Sequence, residues 1–153
     1  MKFNDNPPLD SKFNKPDHSP GFLLWQVSNL WQRQQRAALA PLGLTHVQFI
    51  LLAGVVWLEK SKGPITQSEL ATHAGTDPMM TSQVIRNLQS RGFIRRIPHP
   101  RDKRKMQLSA TPEGIALAQK SIQIVESVDA NIFQNLGGSQ QIFTQLLKKI
   151  VGH

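Results

Sequence analysis

Residues 77–105 read DPMMTSQVIRNLQSRGFIRRIPHPRDKRK, and this stretch decides the fold. Asp77 is a residue type that caps helix N-termini, and Pro78 suits the first helical position, where no backbone N–H is needed. Gly92 can take the left-handed conformation in which many helices end. The inward stripe between them is predicted to be Thr81, Val84, Ile85 and Leu88. The sequence therefore predicts a capped amphipathic helix over residues 77–91.

A β-hairpin is predicted to follow this helix directly. Residues 93–97 and 105–109 have strand-forming composition, and the prolines and charges of 98–104 indicate a turn. Within 86–105, eight cations stand against one acid, Asp102, for a local charge of +7, while the whole chain carries +8. The cations are Arg86, Arg91, Arg95, Arg96, Arg101, Lys103, Arg104 and Lys105. A basic surface confined to one supersecondary unit is typical of nucleic-acid binding.

Composition restricts the class of protein. The 153 residues suit one domain, or one small domain with an oligomerisation extension. The net charge of +8 favours a polyanionic partner, either nucleic acid or an acidic membrane surface. The longest apolar stretch, 49–58, is too short to cross a bilayer, and the N-terminus lacks the apolar segment of a signal peptide. The absence of cysteine excludes disulfides, thiolate metal sites and thiol redox sensing. We expect a cytoplasmic protein that does not bind membranes.

The segments before residue 77 are predicted to be a tail and three helices. Residues 1–20 hold four of the ten prolines and are predicted to be a flexible tail, with a functional arm as the alternative. An amphipathic helix is predicted over 22–39. A buried helix should begin at Thr45, with Gln48 completing a capping box. A short helix is predicted over 66–74, with a second capping box formed by Thr66 and Glu69. The short helix and the helix over 77–91 then form a helix-turn-helix.

Two further helices are predicted after the hairpin. Thr111 and Pro112 start a long amphipathic helix, which Gly137 and Gly138 end, and Ser139 starts the last one. The apolar stripes at the two ends of the chain need a common place to be buried. A second copy of the chain would supply it, so a homodimer is predicted. A self-contained helical cap on a monomer is the alternative.

The helix-turn-helix and the hairpin together predict a surface for duplex DNA. The second helix of such a motif enters the major groove, where Gln and Arg bond purine edges and Ser or Met can touch a thymine methyl. Its outward face is predicted to carry Met79, Ser82, Gln83 and Arg86, with Met80 and Asn87 at its borders. The alternative is an ordinary solvated helix face.

The hairpin turn and the start of the preceding helix supply candidate phosphate contacts. Arg101, Lys103 and Arg104 can reach backbone phosphates or a narrow minor groove, and Asp102 can orient Arg104 through a charge-assisted hydrogen bond. The alternative is a solvated basic loop. At the start of the short helix, the candidates are Thr66, Gln67 and Ser68.

Over residues 22–151 the sequence resembles the MarR (multiple antibiotic resistance regulator) family of transcription factors. The resemblance is carried by four motifs: ITQSELA at 65–71, LQSRGFIRR at 88–96, DKR at 102–104 and LSATPEG at 108–114. Two features depart from the family's pattern. The absence of cysteine removes its peroxide-sensing chemistry, and the proline-rich tail is not shared.

The resemblance implies a mainly α-helical fold with a small β-hairpin wing (α+β). A winged helix-turn-helix domain, residues 45–111, would stand on a helical dimerisation lobe made of 21–44 and 112–153. Members usually act as homodimeric repressors on pseudo-palindromic duplex DNA, and many release it when a small, often anionic aromatic effector binds. The recognition-helix role falls on Met79, Ser82, Gln83 and Arg86. The wing-tip role falls on Arg104, oriented by Asp102.

The sequence gives little support to metal binding, catalysis or cofactor binding. The five histidines lack metal-ligand spacing, although a site completed by acids from distant segments stays open. The chain shows no catalytic motif or phosphate loop, so neither enzymatic activity nor a cofactor is expected. Trp25, Trp31 and Trp57 lie on helices that border the family's effector cavity and are candidates to line it, with the core as the alternative. The competing functions are a winged-helix module for protein or RNA, and an enzyme or carrier.

Overall fold

The computed structural model describes residues 8–153, so the first seven residues of the predicted tail lie outside the described part. The helices are α1 Pro20–Leu39, α2 His46–Lys62, α3 Gln67–Ala74, α4 Pro78–Ser90, α5 Pro112–Phe133 and α6 Gln140–Val151. The strands are β1 Ile65–Thr66, β2 Ile94–Pro98 and β3 Met106–Ala110. They form an antiparallel sheet in the order β1-β3-β2. The predicted class, mainly helical with a small β wing, is confirmed.

The helix starts follow from local capping. Thr45 and Thr66 each form a complete capping box, as the sequence predicts. Asp77 accepts the backbone N–H of Met80 at 2.9 Å. One start differs from the prediction: α1 begins two residues early, at Pro20, because the Ser19 side chain caps it. The last residue of the predicted tail is therefore helical.

The two wing strands each lie one residue later than predicted. The predicted ranges were 93–97 and 105–109. The backbone N–H of Phe93 is taken by the carbonyl of Leu88 at 2.9 Å, and that of Gly92 by Gln89 at 3.0 Å. This pair of hydrogen bonds is a Schellman motif, with Gly92 at φ 79°. Because the helix end uses the Phe93 amide, the strand ladder starts only at Ile94.

The core is built around α2, as its apolar composition predicts. Leu51, Leu52 and Val55 are fully buried. They belong to one cluster with residues of α3, α4 and the sheet: Leu70, Ile85, Leu88, Ile94 and Leu108. The helix-turn-helix and the wing are thus fixed to a single apolar centre, which holds the exposed faces of both in a set position.

The two ends of the described chain leave apolar side chains uncovered. On α1 these are Phe22, Leu23, Leu24, Trp25, Val27 and Leu30, and on α6 they are Ile142, Leu146, Leu147, Ile150 and Val151. None of the twelve residues of α6 is buried in the protomer. Within residues 8–153, no single helix is both long enough and apolar enough to cross a bilayer.

Candidate nucleic-acid interface

The helix α4 presents one buried and one exposed face. Thr81, Ile85 and Leu88 are buried, and the turn before them is held by the Thr81 hydroxyl, which donates to the Asp77 carbonyl at 2.8 Å. The opposite face is solvent-exposed and carries Met79, Met80, Gln83 and Arg86, with Ser82 half-buried beside them. Met79 is 73% exposed and Met80 is 42% exposed. The base-reading candidates thus share one surface, and their contacts with DNA stay a prediction.

The start of α3 lies beside the sheet, and its three candidates differ in availability. Ser68 is exposed. The Thr66 hydroxyl accepts the backbone N–H of Glu69 at 3.2 Å and so already serves the capping box. The Gln67 side-chain oxygen Oε1 accepts a hydrogen bond from Arg96 Nη2 at 3.0 Å. Arg96 therefore orients Gln67 across the sheet, a contact that sequence reasoning missed because 29 residues separate the two.

The wing turn contains the contact predicted between Asp102 and Arg104. Asp102 Oδ1 accepts the backbone N–H of Arg104 at 3.0 Å and its Nε at 3.2 Å. These hydrogen bonds, the backbone one first, lower the pKa of Asp102, so the carboxylate stays charged beside the guanidinium. The Arg104 side chain is 91% exposed, and Arg101 and Lys103 are exposed as well. The turn therefore presents three cations to solvent, and their binding of phosphates stays a prediction.

The base of the wing is held by Glu59, which sequence reasoning missed. β1 pairs with β3 only at Leu108 and Gln107, so the same edge of β3 lacks a strand partner at its end. Glu59 of α2 fills this place: its carboxylate accepts the Ser109 hydroxyl and, at 2.8 Å, the Ala110 backbone N–H. The signal for this role was an acid four residues after the buried Val55, on the inward face of α2.

The three tryptophans do not share one cavity. Trp25 is 65% exposed on α1. Trp57 is 71% exposed and lines a groove of about 390 Å³ between α2 and α5, together with Lys60 and Ile115. Trp31 is half-buried, and its indole N–H donates to Asp129 Oδ1 at 2.7 Å. Only Trp57 is therefore found beside this groove, and the effector-pocket hypothesis stays untested for all three.

A buried polar cluster joins α1 to α5 and α2. Gln35 is fully buried and donates to the Val125 carbonyl at 3.2 Å and to Asp129 Oδ1 at 2.9 Å. His46 Nδ1 lies 3.0 Å from Gln32 Oε1, and burial lowers the pKa of the imidazole against an opposing effect of Asp129. Within the described part of the chain, Gln35 Oε1 and His46 Nε2 lack a hydrogen-bond partner. The cluster ties the helical lobe to the start of α2.

This geometry agrees with the chain's relatives. The MarR family model matches residues 44–106, which cover the helix-turn-helix and most of the wing. The helix-turn-helix transcriptional regulator YdcH of Bacillus subtilis (strain 168) is 44% identical over 123 residues, 80% of this chain and 84% of the relative. The chain belongs to the MarR family. Another MarR-family relative, the transcriptional repressor Rv2887 of Mycobacterium tuberculosis (H37Rv), is 33% identical over 136 residues, 88% and 95% of the two chains.

A solved MarR structure supports the same fold over almost the whole length. The cysteine-to-serine mutant of MarR from E. coli, complexed with operator DNA, is 26% identical to this chain with a TM-score of 0.76. The match covers 93% of this MarR-family chain and 99% of that one. The fold therefore extends beyond the DNA-binding unit to the helices at both ends.

Proposed function

We propose that the chain is a homodimeric transcriptional repressor that reads a pseudo-palindromic operator. In this proposal α4 enters the major groove, and the wing contacts the minor groove or the backbone. The observation that carries it is the exposed face of α4, with Gln83 and Arg86, on a helix whose other face is locked into the core. The wing adds Arg104, held by Asp102. The E. coli MarR complex with operator DNA supports the same use of the fold.

The apolar surfaces of α1 and α6 support the homodimer. A 12-residue helix with no buried residue gains little packing from its own protomer, and its exposed stripe includes Leu146 and Ile150. Covering this stripe and that of α1 with a second copy buries both. Two copies of α4 would then meet successive major grooves, which requires an operator with two half-sites.

A small aromatic or anionic effector is part of the proposal. A structure of the relative Rv2887 is a complex with salicylic acid. In this chain, the groove between α2 and α5 combines the aromatic Trp57 with the cation of Lys60. An aromatic acid could place its ring against the first and its carboxylate near the second.

The main test is selection of bound duplexes by the full chain, followed by affinity measurements on the selected operator. Arg104→Ala should weaken binding to every duplex and reduce the salt slope by about one unit, because it removes one phosphate contact. Gln83→Ala should instead relax preference at one or two base pairs. Lys120→Ala, which removes a cation from α5, is the matched control and should bind like the parent.

The outcome that contradicts the proposal is equal affinity for selected duplex, random duplex, single strands and structured RNA. That result would favour a winged-helix module for protein or RNA. A repressor bound to chromosomal DNA also implies a cytoplasmic location, which imaging of the tagged chain in its host checks.

A further inference from the structure

His99 occupies the first position after β2, where the wing turn begins. Its Nδ1 accepts two consecutive backbone N–H groups, those of Arg101 and Asp102, each at 3.1 Å. Its own backbone N–H donates to the carbonyl of Lys105 at 3.1 Å, which closes the turn across the hairpin. The ring is half-buried, while the cationic side chains around it are exposed. One imidazole nitrogen thus binds the backbone N–H groups of two consecutive residues at the tip of the wing.

The two backbone N–H donors determine which nitrogen of the neutral imidazole carries the proton. An imidazole nitrogen accepts hydrogen bonds only when it carries no proton, so the neutral ring here has its proton on Nε2. The contact also fixes Asp102, whose backbone N–H binds His99 while its carboxylate accepts two hydrogen bonds from Arg104. The contacts run from His99 through Asp102 to Arg104.

We propose that His99 is a positioning residue for DNA binding, which holds the tip of the wing in its binding conformation through Nδ1. The inference rests on the proposed function, which it deepens by naming what orders the cations. Arg101, Lys103, Arg104 and Lys105 repel one another, so the free turn favours an open ensemble. An acceptor inside the turn holds it closed before DNA arrives, and preorganisation of this kind raises affinity.

Three substitutions separate the acceptor from the bulk of the ring. In His99→Asn the side-chain oxygen is two bonds from Cβ, as Nδ1 is, so an acceptor remains in place. In His99→Gln the oxygen is one bond further out, and in His99→Ala no acceptor remains. Operator affinity should fall about tenfold in the Gln and Ala variants, the effect expected from two hydrogen bonds, and stay within about twofold of the parent in the Asn variant.

The path through Arg104 is tested by a double-mutant cycle. With Arg104→Ala in place, His99→Gln should have a smaller further effect on affinity, because one of the cations that it positions is gone. Urea unfolding midpoints should be the same for all variants, since the turn lies outside the core. Equal losses in the Asn and Gln variants, or an undiminished loss in the Arg104→Ala background, would overturn the proposal.

Nuclear magnetic resonance on the DNA-free protein keeps this test independent of the proposed function. The ¹⁵N shift of His99 Nδ1 should indicate the unprotonated nitrogen, and amide order parameters over residues 101–104 should fall in His99→Gln and recover in His99→Asn. If the parent chain binds no duplex but shows this pattern, the proposed function fails while the role of His99 in ordering the turn stands. Unchanged order parameters in His99→Gln would overturn that role itself.

Discussion

The buried imidazole of His46 makes stability depend on pH. The ring of Trp31 packs edge-on against it at 4.7 Å between centroids, and Phe49 stacks on it at 6.2 Å. Because burial lowers the pKa of His46 below its usual 6.5, the unfolded chain takes up a proton at a higher pH than the folded chain. The stabilisation is therefore complete above about pH 6.5 and is lost as the pH falls towards the lowered pKa.

We predict that replacing His46 removes this part of the pH dependence. In His46→Asn the side-chain amide can still donate to Gln32, but it does not titrate. Urea unfolding of the parent should give a lower midpoint at about pH 5.5 than at about pH 7.5, and the variant should show a smaller difference. The difference between the two pH values is taken within each protein. It is therefore not affected by the loss of aromatic packing, which lowers the midpoint of the variant at both pH values. An equal drop in both proteins would show that another group titrates.

The structural roles of some residues can be predicted from the sequence, whereas those of others are revealed only by tertiary contacts. Thr45, Thr66 and Asp77 were identified as caps because each bonds within three residues of itself. The partners of Trp31 and Glu59 could not be identified in this way. Trp31 bonds Asp129 across 98 residues, and Glu59 bonds Ala110 across 51, separations at which no local pattern carries information.

At the scale of elements, the junction between the wing and α5 depends on the close approach of Gly114 in α5 to the backbone of Phe93 at the start of the wing. The Thr111 backbone N–H donates to the Phe93 carbonyl at 3.0 Å, and its hydroxyl donates to the Gly92 carbonyl at 2.6 Å. These bonds bring the first turn of α5 onto the start of the wing. A Cβ placed on Gly114 would lie only 2.0 Å from the Phe93 carbonyl oxygen.

We predict that Gly114→Ala destabilises the fold, because helix and strand must move apart to admit one methyl group. The free energy of unfolding should fall by about 1–3 kcal/mol, measured by urea titration. Gly138→Ala is the matched control, since a Cβ there meets no described atom within 4 Å. Equal stability of the Gly114 variant and the parent would mean that this junction is not tightly packed.

The type of each helix and strand was predicted more reliably than its boundaries. Helical periodicity and caps gave all six α-helices of the described chain, and turn residues gave the hairpin. The strand boundaries were wrong by one residue because Phe93 serves the helix end, a choice between two hydrogen-bond partners that composition does not reveal. The exposed face of α4 was predicted because the helix alternates core and solvent positions so regularly. The hydrogen bonds of Arg96 and His99 are visible only in the folded chain.

At the scale of the whole molecule, one protomer leaves apolar side chains exposed on its first and last α-helices. Leu146 and Ile150 are 52% and 77% exposed on α6, and Trp25 is 65% exposed on α1. Apolar surface on this scale normally marks an interface. The sequence predicted the stripes and the need to cover them, and the protomer's structure shows them open. The symmetric pairing that we propose would also set the distance between the two α4 helices, and hence the spacing of half-sites.

We predict that Leu146→Glu prevents dimerisation, because an unpaired carboxylate would have to be buried in the interface at a cost of several kcal/mol. Gln145→Glu, one residue away on an exposed position, adds the same group as the control. Sedimentation at micromolar concentration should give a dimer for the parent and the control and a monomer for Leu146→Glu, whose far-UV circular dichroism should lose no more helical signal than that of α6. The monomer should also lose most of its operator affinity, since each copy then holds a single half-site. A Leu146→Glu protein that still sediments as a dimer would place the interface elsewhere on the molecule.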